Sequence, residues 1–194
     1  MSGGRPSYQL DGDYRYLSEA YYQSVDALNA GRPVAPTPQQ ILDALIVPLA
    51  LCKAELAGLA VPEWYLTNEY FRPPVVCYTV NPFMRRSATV LQQGRAKAVA
   101  RRMTRNGQYA VCCQEIEADT EVREFNVLLG RTAQSDNAEW AARVWQVFGL
   151  PLVRVRLLDF GGGRRMLSAL EPLPRKTLKA GEQRLLDEAL SADV

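Results

Sequence analysis

The sequence predicts an α+β fold in which a mixed, largely antiparallel sheet is covered by helices. Three observations favour this class. Predicted helices and strands alternate irregularly along the 194 residues, two pairs of strands are joined by short turns, and no internal repeat or long linker separates the elements. We predict a flexible lead-in over residues 1–13 and one unit over residues 14–194, with residues 68–74 as the place where that unit could be subdivided.

The N-terminal third is predicted to be helical. Apolar residues at helical spacing indicate a first helix over residues 16–29. Thr37 and Gln40 form a capping box around Pro38, which predicts the start of a second helix. Because proline cannot continue the backbone hydrogen bonding of a helix, Pro48 is expected to kink or divide this helix before Gly58 ends it.

The rest of the chain is predicted to alternate between strands and helices. Two strand pairs are expected, one across the acidic turn 117–121 and one across the three glycines at 161–163. The predicted strands cover residues 75–80, 109–116, 125–129, 152–160 and 164–170, and the predicted helices cover residues 92–105, about 136–148 and 179–190.

Composition excludes several kinds of chemistry. The sequence contains no histidine, which rules out Ser-His-Asp and Cys-His catalysis and the common zinc sites that use histidine. A net charge of +2 gives no reason to expect a nucleic-acid partner. Asp43, Lys53 and Glu55 interrupt the most apolar stretch, residues 41–59, and the N-terminus has no apolar signal core, so we expect a cytoplasmic protein with no membrane partner.

The four cysteines are predicted to be reduced and mostly buried. Cys52 and Cys77 stand alone, and no CxxC pair occurs. Cys112 and Cys113 are adjacent, and neighbouring residues on a strand point to opposite faces, which makes them a poor pair for a disulfide or a metal.

Three polar stretches were weighed as binding sites. The glycines at 161–163 precede a strand rather than a helix, so a hairpin turn is favoured over a phosphate loop. The helix over residues 92–105 carries five cations: Arg95, Lys97, Arg101, Arg102 and Arg105. A solvent-exposed helix face is the favoured interpretation, and binding to the phosphates of a nucleotide or RNA is the alternative. Five acidic residues between 115 and 124 could bind Mg²⁺ or a basic partner, although an exposed turn is the simpler interpretation.

Several short motifs resemble those of RimK-like ATP-grasp carboxylate–amine ligases and of the RimK-like ATP-grasp N-terminal domain. The stretch 28–41, the passage 53–63 and the ending 148–174 are similar to conserved passages of these ligases, and stretches 14–22 and 125–131 fit the N-terminal domain best. Residues 114–116 read Gln-Glu-Ile, where the family has an adenine-contacting hinge. The resemblance implies a truncated ATP-grasp-like fold and a relationship to ATP, Mg²⁺ and ligase chemistry.

The resemblance also implies site residues, and several are replaced. Lys97, Glu115 and Arg123 are the candidate nucleotide contacts, and Glu171 is the candidate catalytic and metal-binding carboxylate. The lysine positions of the family read Cys77-Tyr78 on the strand and Ile46-Val47-Pro48 at the second helix. Arg156 stands where the metal-binding aspartate is expected, and Leu173 stands in place of the asparagine.

We therefore hypothesise a non-catalytic accessory or substrate-presenting protein for a separate peptide or amino-acid ligase. Its partner would be another protein, either that ligase or a second copy of the chain. One alternative is a miniature ATP-dependent ligase that uses Lys97, Glu115 and Glu171. Another is an RNA- or ribosome-binding module that uses the basic helix 95–105, with an affinity that falls steeply as salt rises.

Overall fold

The computed structural model describes residues 6–10, 13–81, 83–84 and 87–192. Along these residues the helices and strands follow in chain order: β1 (Ser7–Tyr8), α1 (Glu19–Asn29), β2 (Val34–Ala35), α2 (Pro38–Leu45), α3 (Val47–Leu56), β3 (Trp64–Thr67), β4 (Val75–Thr79), β5 (Ser87–Val90), α4 (Gln93–Met103), β6 (Val111–Glu115), β7 (Glu121–Leu128), α5 (Ala138–Phe148), β8 (Leu152–Asp159), β9 (Arg165–Pro172) and α6 (Ala180–Ala192).

The chain divides into two compact units, each made of separate stretches of sequence. The first contains Met1–Leu45, Glu124–Val155 and Leu170–Val194, and the second contains Ile46–Arg123 and Arg156–Ala169. Compactness does not test independent folding, so the predicted lead-in over residues 1–13 and single unit over residues 14–194, with a subdivision near 68–74, stay predictions.

Local capping explains where the helices of the first unit begin. Ser18 Oγ accepts a hydrogen bond from Tyr21 N at 3.3 Å, so α1 starts at Glu19, three residues later than the sequence predicts. The predicted capping box is confirmed: Thr37 N donates to Gln40 Oε1 at 2.8 Å, and Gln40 N donates to Thr37 Oγ1 at 3.2 Å. These reciprocal bonds satisfy two backbone donors at the start of α2.

The first unit contains a hydrophobic cluster, the leucine core, that is built mainly from leucines. Helix α6 contributes Leu186 and Ala189, and half-buried Trp145 of α5 packs against the same cluster. The buried members of this core are Leu128, Leu129, Leu152, Leu173, Leu178, Leu186 and Ala189. Burying a leucine side chain contributes roughly 1.5–3 kcal/mol, so this cluster supplies much of the stability of the unit.

The second unit is organised around a four-stranded antiparallel sheet with strand order β3-β6-β4-β5. Helix α4 covers one face with Ala96, Ala100 and Met103. Val47 and Leu51 of α3 lie in the core cluster on the other face, together with one residue from each arm of the β8–β9 hairpin, Leu158 and Ala169. Because side chains alternate along a strand, successive residues of β4 serve different cores.

A second, three-stranded sheet has the order β7-β8-β9. The hairpin between β8 and β9 is confirmed. Phe160 N donates to Arg164 O at 2.9 Å, and the three glycines of its turn all have positive φ, a conformation that L side chains adopt only with strain. A phosphate-cradling role for these glycines has no helix N-terminus to support it, because β9 follows directly.

The predicted pairing across the acidic turn 117–121 is wrong. Strand β6 pairs with β3 on one side and β4 on the other, which occupies both of its hydrogen-bonding edges. Strand β7 therefore pairs with β8 in the other sheet. The strands β1, β2, β3 and β5 were not predicted; each is only two to four residues long, and such short runs carry little periodicity.

The predicted fold class is confirmed, since the described residues form largely antiparallel sheets, with one short parallel pair β1–β2, together with six α-helices. The division near Pro48 is also confirmed: α2 ends at Leu45, and α3 begins at Val47 with Pro48 in its first turn. Among the described residues, no helix is both long enough and apolar enough to cross a membrane.

Candidate functional site

One face of the four-stranded sheet carries a buried polar network. The Tyr78 hydroxyl lies 2.7 Å from Ser168 Oγ, and Ser168 Oγ donates to Gln114 Oε1 at 2.6 Å. Gln114 Nε2 in turn donates to the Ser168 carbonyl oxygen at 2.7 Å. Gln114 and Ser168 are fully buried, and Tyr78 is 5% exposed. Within the described residues, every buried side-chain nitrogen and oxygen has a partner.

Strand register brings these three residues together. Gln114 pairs with Val76 across β6 and β4, so it lies on the same face as Tyr78, two residues further along β4. Ser168 belongs to β9, and the next residue of that strand, Ala169, packs in the apolar cluster on this face of the sheet. Tyr78 and Gln114 stand out in the sequence only through the resemblance. Isolated polar residues within apolar strand segments, as at all three positions, are the signal that could have revealed the network.

Apolar side chains surround the Tyr78 ring. Val47, from the start of α3, belongs to the same buried cluster as Tyr78, Val76 and Leu158. Val47 is 8% exposed and Val76 is 2% exposed. Both lysine positions implied by the resemblance, the one at Cys77-Tyr78 and the one at Ile46-Val47-Pro48, therefore contribute residues to one apolar core.

Arg156 lies beside this face. Its guanidinium carbon is 5.9 Å from the centre of the Tyr78 ring, within the range of a cation–π contact, and Nη1 donates to Ser87 Oγ at 3.1 Å. The position at which the resemblance expects a metal-binding carboxylate therefore carries a positive charge.

The other face of the sheet holds two thiols. Cys77 and Cys113 are fully buried, and their Sγ atoms are 3.5 Å apart. The two thiols share a hydrogen bond, which lowers the pKa of Cys113 and, together with burial, raises the pKa of Cys77. Burial also raises the pKa of Cys112, on the opposite face, to about 12. Cys52 is exposed.

Two of the predicted nucleotide contacts, Lys97 and Glu115, are exposed on separate elements. Lys97 lies on α4, and Glu115 is the last residue of β6. Neither side chain has a hydrogen bond or an ion pair within the part of the chain that the structure describes. The structure therefore does not join them into one polar cluster.

The third predicted contact, Arg123, is held by two carboxylates. Its Nε donates to Asp159 Oδ2 at 2.9 Å, and its Nη2 donates to Glu121 Oε2 at 3.0 Å. Only 13% of the Asp159 side chain is exposed, and its other oxygen accepts a hydrogen bond from Gly161 N at 2.9 Å. Arg123 thus joins β7 to the turn of the β8–β9 hairpin.

Glu171 belongs to the first unit. It lies on β9 and is half-buried. Leu173, two residues later, is fully buried in the leucine core of that unit. The position where the resemblance expects an asparagine ligand therefore contributes a core side chain. Among the described residues, no group of three or more Asp, Glu, Cys or His side chains could hold a metal ion.

A surface cavity of about 440 Å³ lies at the C-terminal end of α4. It is lined by Asn68, Glu69, Arg101, Thr104, Asn106 and Gly107. Arg101 is therefore the one cation of the basic helix that lines it, and Glu69 supplies an opposite charge. This mixed lining does not form a cluster of cations for phosphate.

The sequence and fold were compared with known proteins. The family model described as the RimK-like ATPgrasp N-terminal domain matches residues 8–189. The search of curated proteins gave no significant match.

Solved structures of ATP-grasp proteins share the fold. A RimK domain ATP-grasp protein from Sphaerobacter thermophilus superposes with a TM-score of 0.65 at 18% identity, over 89% of this chain and 74% of that one. The ATP-grasp ligase PsnB, in complex with the precursor peptide PsnA2 and AMPPNP, gives 0.57 at 16% identity, over 87% and 64%. D-alanine–D-alanine ligase from Bacillus anthracis, in complex with ATP, gives 0.63 at 10% identity, over 91% and 74%. The chain thus spans less than two thirds of PsnB and about three quarters of the other two.

Proposed function

Because this chain belongs to the family of RimK-like ATPgrasp N-terminal domains, we propose that it is a non-catalytic accessory or substrate-presenting protein for a separate ATP-dependent ligase. Two of the ligases that share its fold are PsnB, whose structure contains a precursor peptide, and D-alanine–D-alanine ligase. A peptide or amino-acid ligase is accordingly the proposed class of partner, and a second copy of this chain is the other candidate.

The observation that carries the proposal is the environment of Tyr78. An ATP-grasp site needs lysine side chains on the phosphates of ATP, whereas this position holds a buried phenol bonded to Ser168. An ammonium in the same place would be enclosed by Val47, Val76 and Leu158. Ser168 and Gln114 at this position are neutral, and burying a charge without an opposite charge costs several kcal/mol, so this environment disfavours a lysine.

The other replaced positions support the same conclusion. The second lysine position reads Ile46-Val47-Pro48, of which Val47 is a buried aliphatic side chain, and Leu173 fills the asparagine position with a core leucine. Arg156 puts a guanidinium where an Mg²⁺ ligand is expected, and a cation cannot coordinate a metal ion. The residues at these positions therefore do not fit Mg²⁺–ATP, and we derive no catalytic step through it.

The first test measures nucleotide binding and turnover by the purified full chain. Thermal unfolding is followed with millimolar Mg²⁺–ATP and Mg²⁺–ADP, and phosphate release is followed with a panel of amino acids and short peptides. A ligand at a hundred times its dissociation constant stabilises a protein by about 2.7 kcal/mol, which is easily detected. We expect neither a shift of the unfolding midpoint nor amine-dependent phosphate release.

Two variants give the result its control. If phosphate is released, the variants Lys97→Ala and Glu171→Ala show its source. Each variant should abolish the release if this chain is a miniature ligase, and neither should change it if a contaminating enzyme is responsible. Release that both variants abolish would refute the accessory role in favour of the miniature ligase.

The second test measures whether this chain raises the activity of a separate ligase. A catalytic ATP-grasp carboxylate–amine ligase from the same organism is assayed with and without this chain, and kcat/KM for the carboxylate substrate is compared. We expect kcat/KM to rise with a saturating dependence on the concentration of this chain. Equal values with and without the chain, for each such ligase, would contradict the proposal.

A further inference from the structure

Cys77 and Cys113 face each other across two hydrogen-bonded strands. They are direct partners in the register of β4 and β6, and their Sγ atoms are 3.5 Å apart. Both lie on the face covered by α4, where Ala96 and Ala100 pack against the same cluster. The chain thus holds two thiols side by side although 36 positions separate them in sequence.

The backbone pattern identifies the kind of pair they form. Ile116 N donates to Pro74 O at 3.3 Å, and Val80 N donates to Ala110 O at 3.5 Å, so residues 74 and 80 are in hydrogen-bonded pairs. Hydrogen-bonded and non-hydrogen-bonded pairs alternate along antiparallel strands, which makes Cys77–Cys113 a non-hydrogen-bonded pair. In such a pair the Cα atoms are about 4.5 Å apart, within the span of about 4.4–6.8 Å that a disulfide bridges.

We propose that Cys77 and Cys113 are a modification site that hydrogen peroxide converts into an intrachain disulfide. The strand pairing already fixes their Cα atoms at bridging distance, so closing the bond requires rotation of the two side chains and no change of register. Nothing in the proposed accessory role uses these thiols, and this site is independent of that role.

The chemistry proceeds in two balanced steps. The thiolate of one cysteine attacks a peroxide oxygen, the O–O bond breaks, and the products are a sulfenic acid and hydroxide, which takes up the proton released by the thiol to give water. The second thiolate then attacks the sulfenic sulfur, the S–S bond forms, and a second water leaves. Overall, two thiols lose two electrons and two protons, and one peroxide is reduced to two waters.

Hydrogen bonding distinguishes the roles of the two sulfurs. The two sulfurs share one hydrogen bond, which lowers the pKa of Cys113 and favours Cys113 as the thiolate that reacts first. Both sulfurs are fully buried, so the oxidant must be small. Helix α4 covers the pair with the small side chains of Ala96 and Ala100.

The bridge would act on the sheet that carries the polar network. It would tie β4 to β6 beside Tyr78 and Gln114, and β6 could then not separate from β4 during local opening. Oxidation is therefore expected to raise the thermal unfolding midpoint by several degrees, and a reductant such as a phosphine should lower it again.

The experiment uses the full chain with the exposed thiol removed by Cys52→Ser, so that links between molecules cannot form through it. Native protein is treated with hydrogen peroxide, denatured, alkylated and digested without reductant. We expect alkylation to fall from three cysteines to one per chain, since Cys77, Cys112 and Cys113 remain after Cys52 is removed from the four. The peptide that carries Cys77 should be joined to the peptide that carries residues 112–113, with the loss of two hydrogen atoms.

Two further variants decide which neighbour forms the bond. The link should persist when Cys112→Ala is added to Cys52→Ser and should disappear when Cys113→Ala is added instead. A link that survives Cys113→Ala would assign the bond to Cys112 and overturn the proposal. So would oxidation that stops at sulfinic acid without any linked peptide in the Cys52→Ser protein, a result that does not depend on how well the other variants fold.

Discussion

The Tyr78 hydroxyl lies 2.7 Å from Ser168 Oγ, although 90 positions separate the two residues in the chain. This bond connects β4 of the four-stranded sheet to β9 of the C-terminal hairpin. It also places a neutral phenol at a position where the resemblance leads one to expect a lysine. Tyr78 therefore stabilises the second unit through its hydrogen bond to Ser168.

Removing this hydroxyl should destabilise the protein. Tyr78→Phe keeps the ring in its apolar pocket but removes one buried hydrogen bond, for which we expect a loss of about 1–2 kcal/mol in the free energy of unfolding. Tyr22→Phe is the matched control, because Tyr22 is 51% exposed and its change should be within about 0.5 kcal/mol. Urea unfolding measures both. Equal losses in the two variants would contradict a structural role for the Tyr78 hydroxyl.

Gly149 should tolerate alanine less well than Gly161. Both have positive φ, +65° and +79°, but a Cβ on Gly149 would meet Gln40 Nε2 at 2.3 Å, whereas Gly161 faces open space. Gln40 is held by Thr37 N in the capping box, so it cannot move away without breaking that bond. We expect Gly161→Ala to cost about 1 kcal/mol and Gly149→Ala about 2–3 kcal/mol of unfolding free energy. Similar costs, measured by urea unfolding, would show that Gln40 yields freely.

Cys112 should lower the free energy of unfolding as the pH rises above about 9. Burial raises its pKa from 9.0 to about 12, so between these values the folded protein holds a proton that the unfolded chain has lost. A raised folded pKa contributes stability below the unfolded value, and that stability is lost as pH rises through this window, by about 1.4 kcal/mol per pH unit. Cys112→Ala removes this contribution. The difference in unfolding free energy between wild type and variant should therefore shrink from pH 9 upwards. A constant difference from pH 7 to pH 11 would contradict the assignment.

The hydrogen bond from Gly161 N to Asp159 should contribute more to the free energy of unfolding than the ion pair between Asp159 and Arg123. Asp159→Asn keeps an oxygen for Gly161 N and loses only the charge, for which we expect about 0.5–1 kcal/mol, because Arg123 is 59% exposed. Asp159→Ala loses the turn bond as well and should cost about 1–2 kcal/mol more. Urea unfolding at low and high salt separates the two contributions. If the Asn variant were as unstable as the Ala variant, the charge rather than the turn bond would dominate.

Much of the fold could be predicted because local chemistry marks it. The Thr37–Gln40 capping box, the division near Pro48 and the β8–β9 hairpin depend on residues close together in sequence. Pairing between distant strands could not be predicted in this way. Nothing near β6 records that β3 and β4 occupy both its edges, and the expected pairing with β7 was therefore wrong.

The candidate site could be predicted only in part. The resemblance drew attention to residues 77, 78 and 114, but the bond partner that joins two of them, Ser168, comes from a hairpin far along the chain. Exposure could not be predicted either: Lys97 and Glu115 were grouped as nucleotide contacts, yet they lie on separate elements without a shared bond.

The interleaved layout of the two units has a consequence for biosynthesis. The chain passes from one unit to the other four times, at residues 45/46, 123/124, 155/156 and 169/170. The first unit includes both ends of the chain, and the shortest fragment with all of the second unit, residues 46–169, also carries residues 124–155 of the first. Truncation at these points should therefore give incomplete cores rather than separable pieces. On the ribosome, the leucine core of the first unit has to wait for Leu178, Leu186 and Ala189 to emerge, long after its N-terminal helices have been translated.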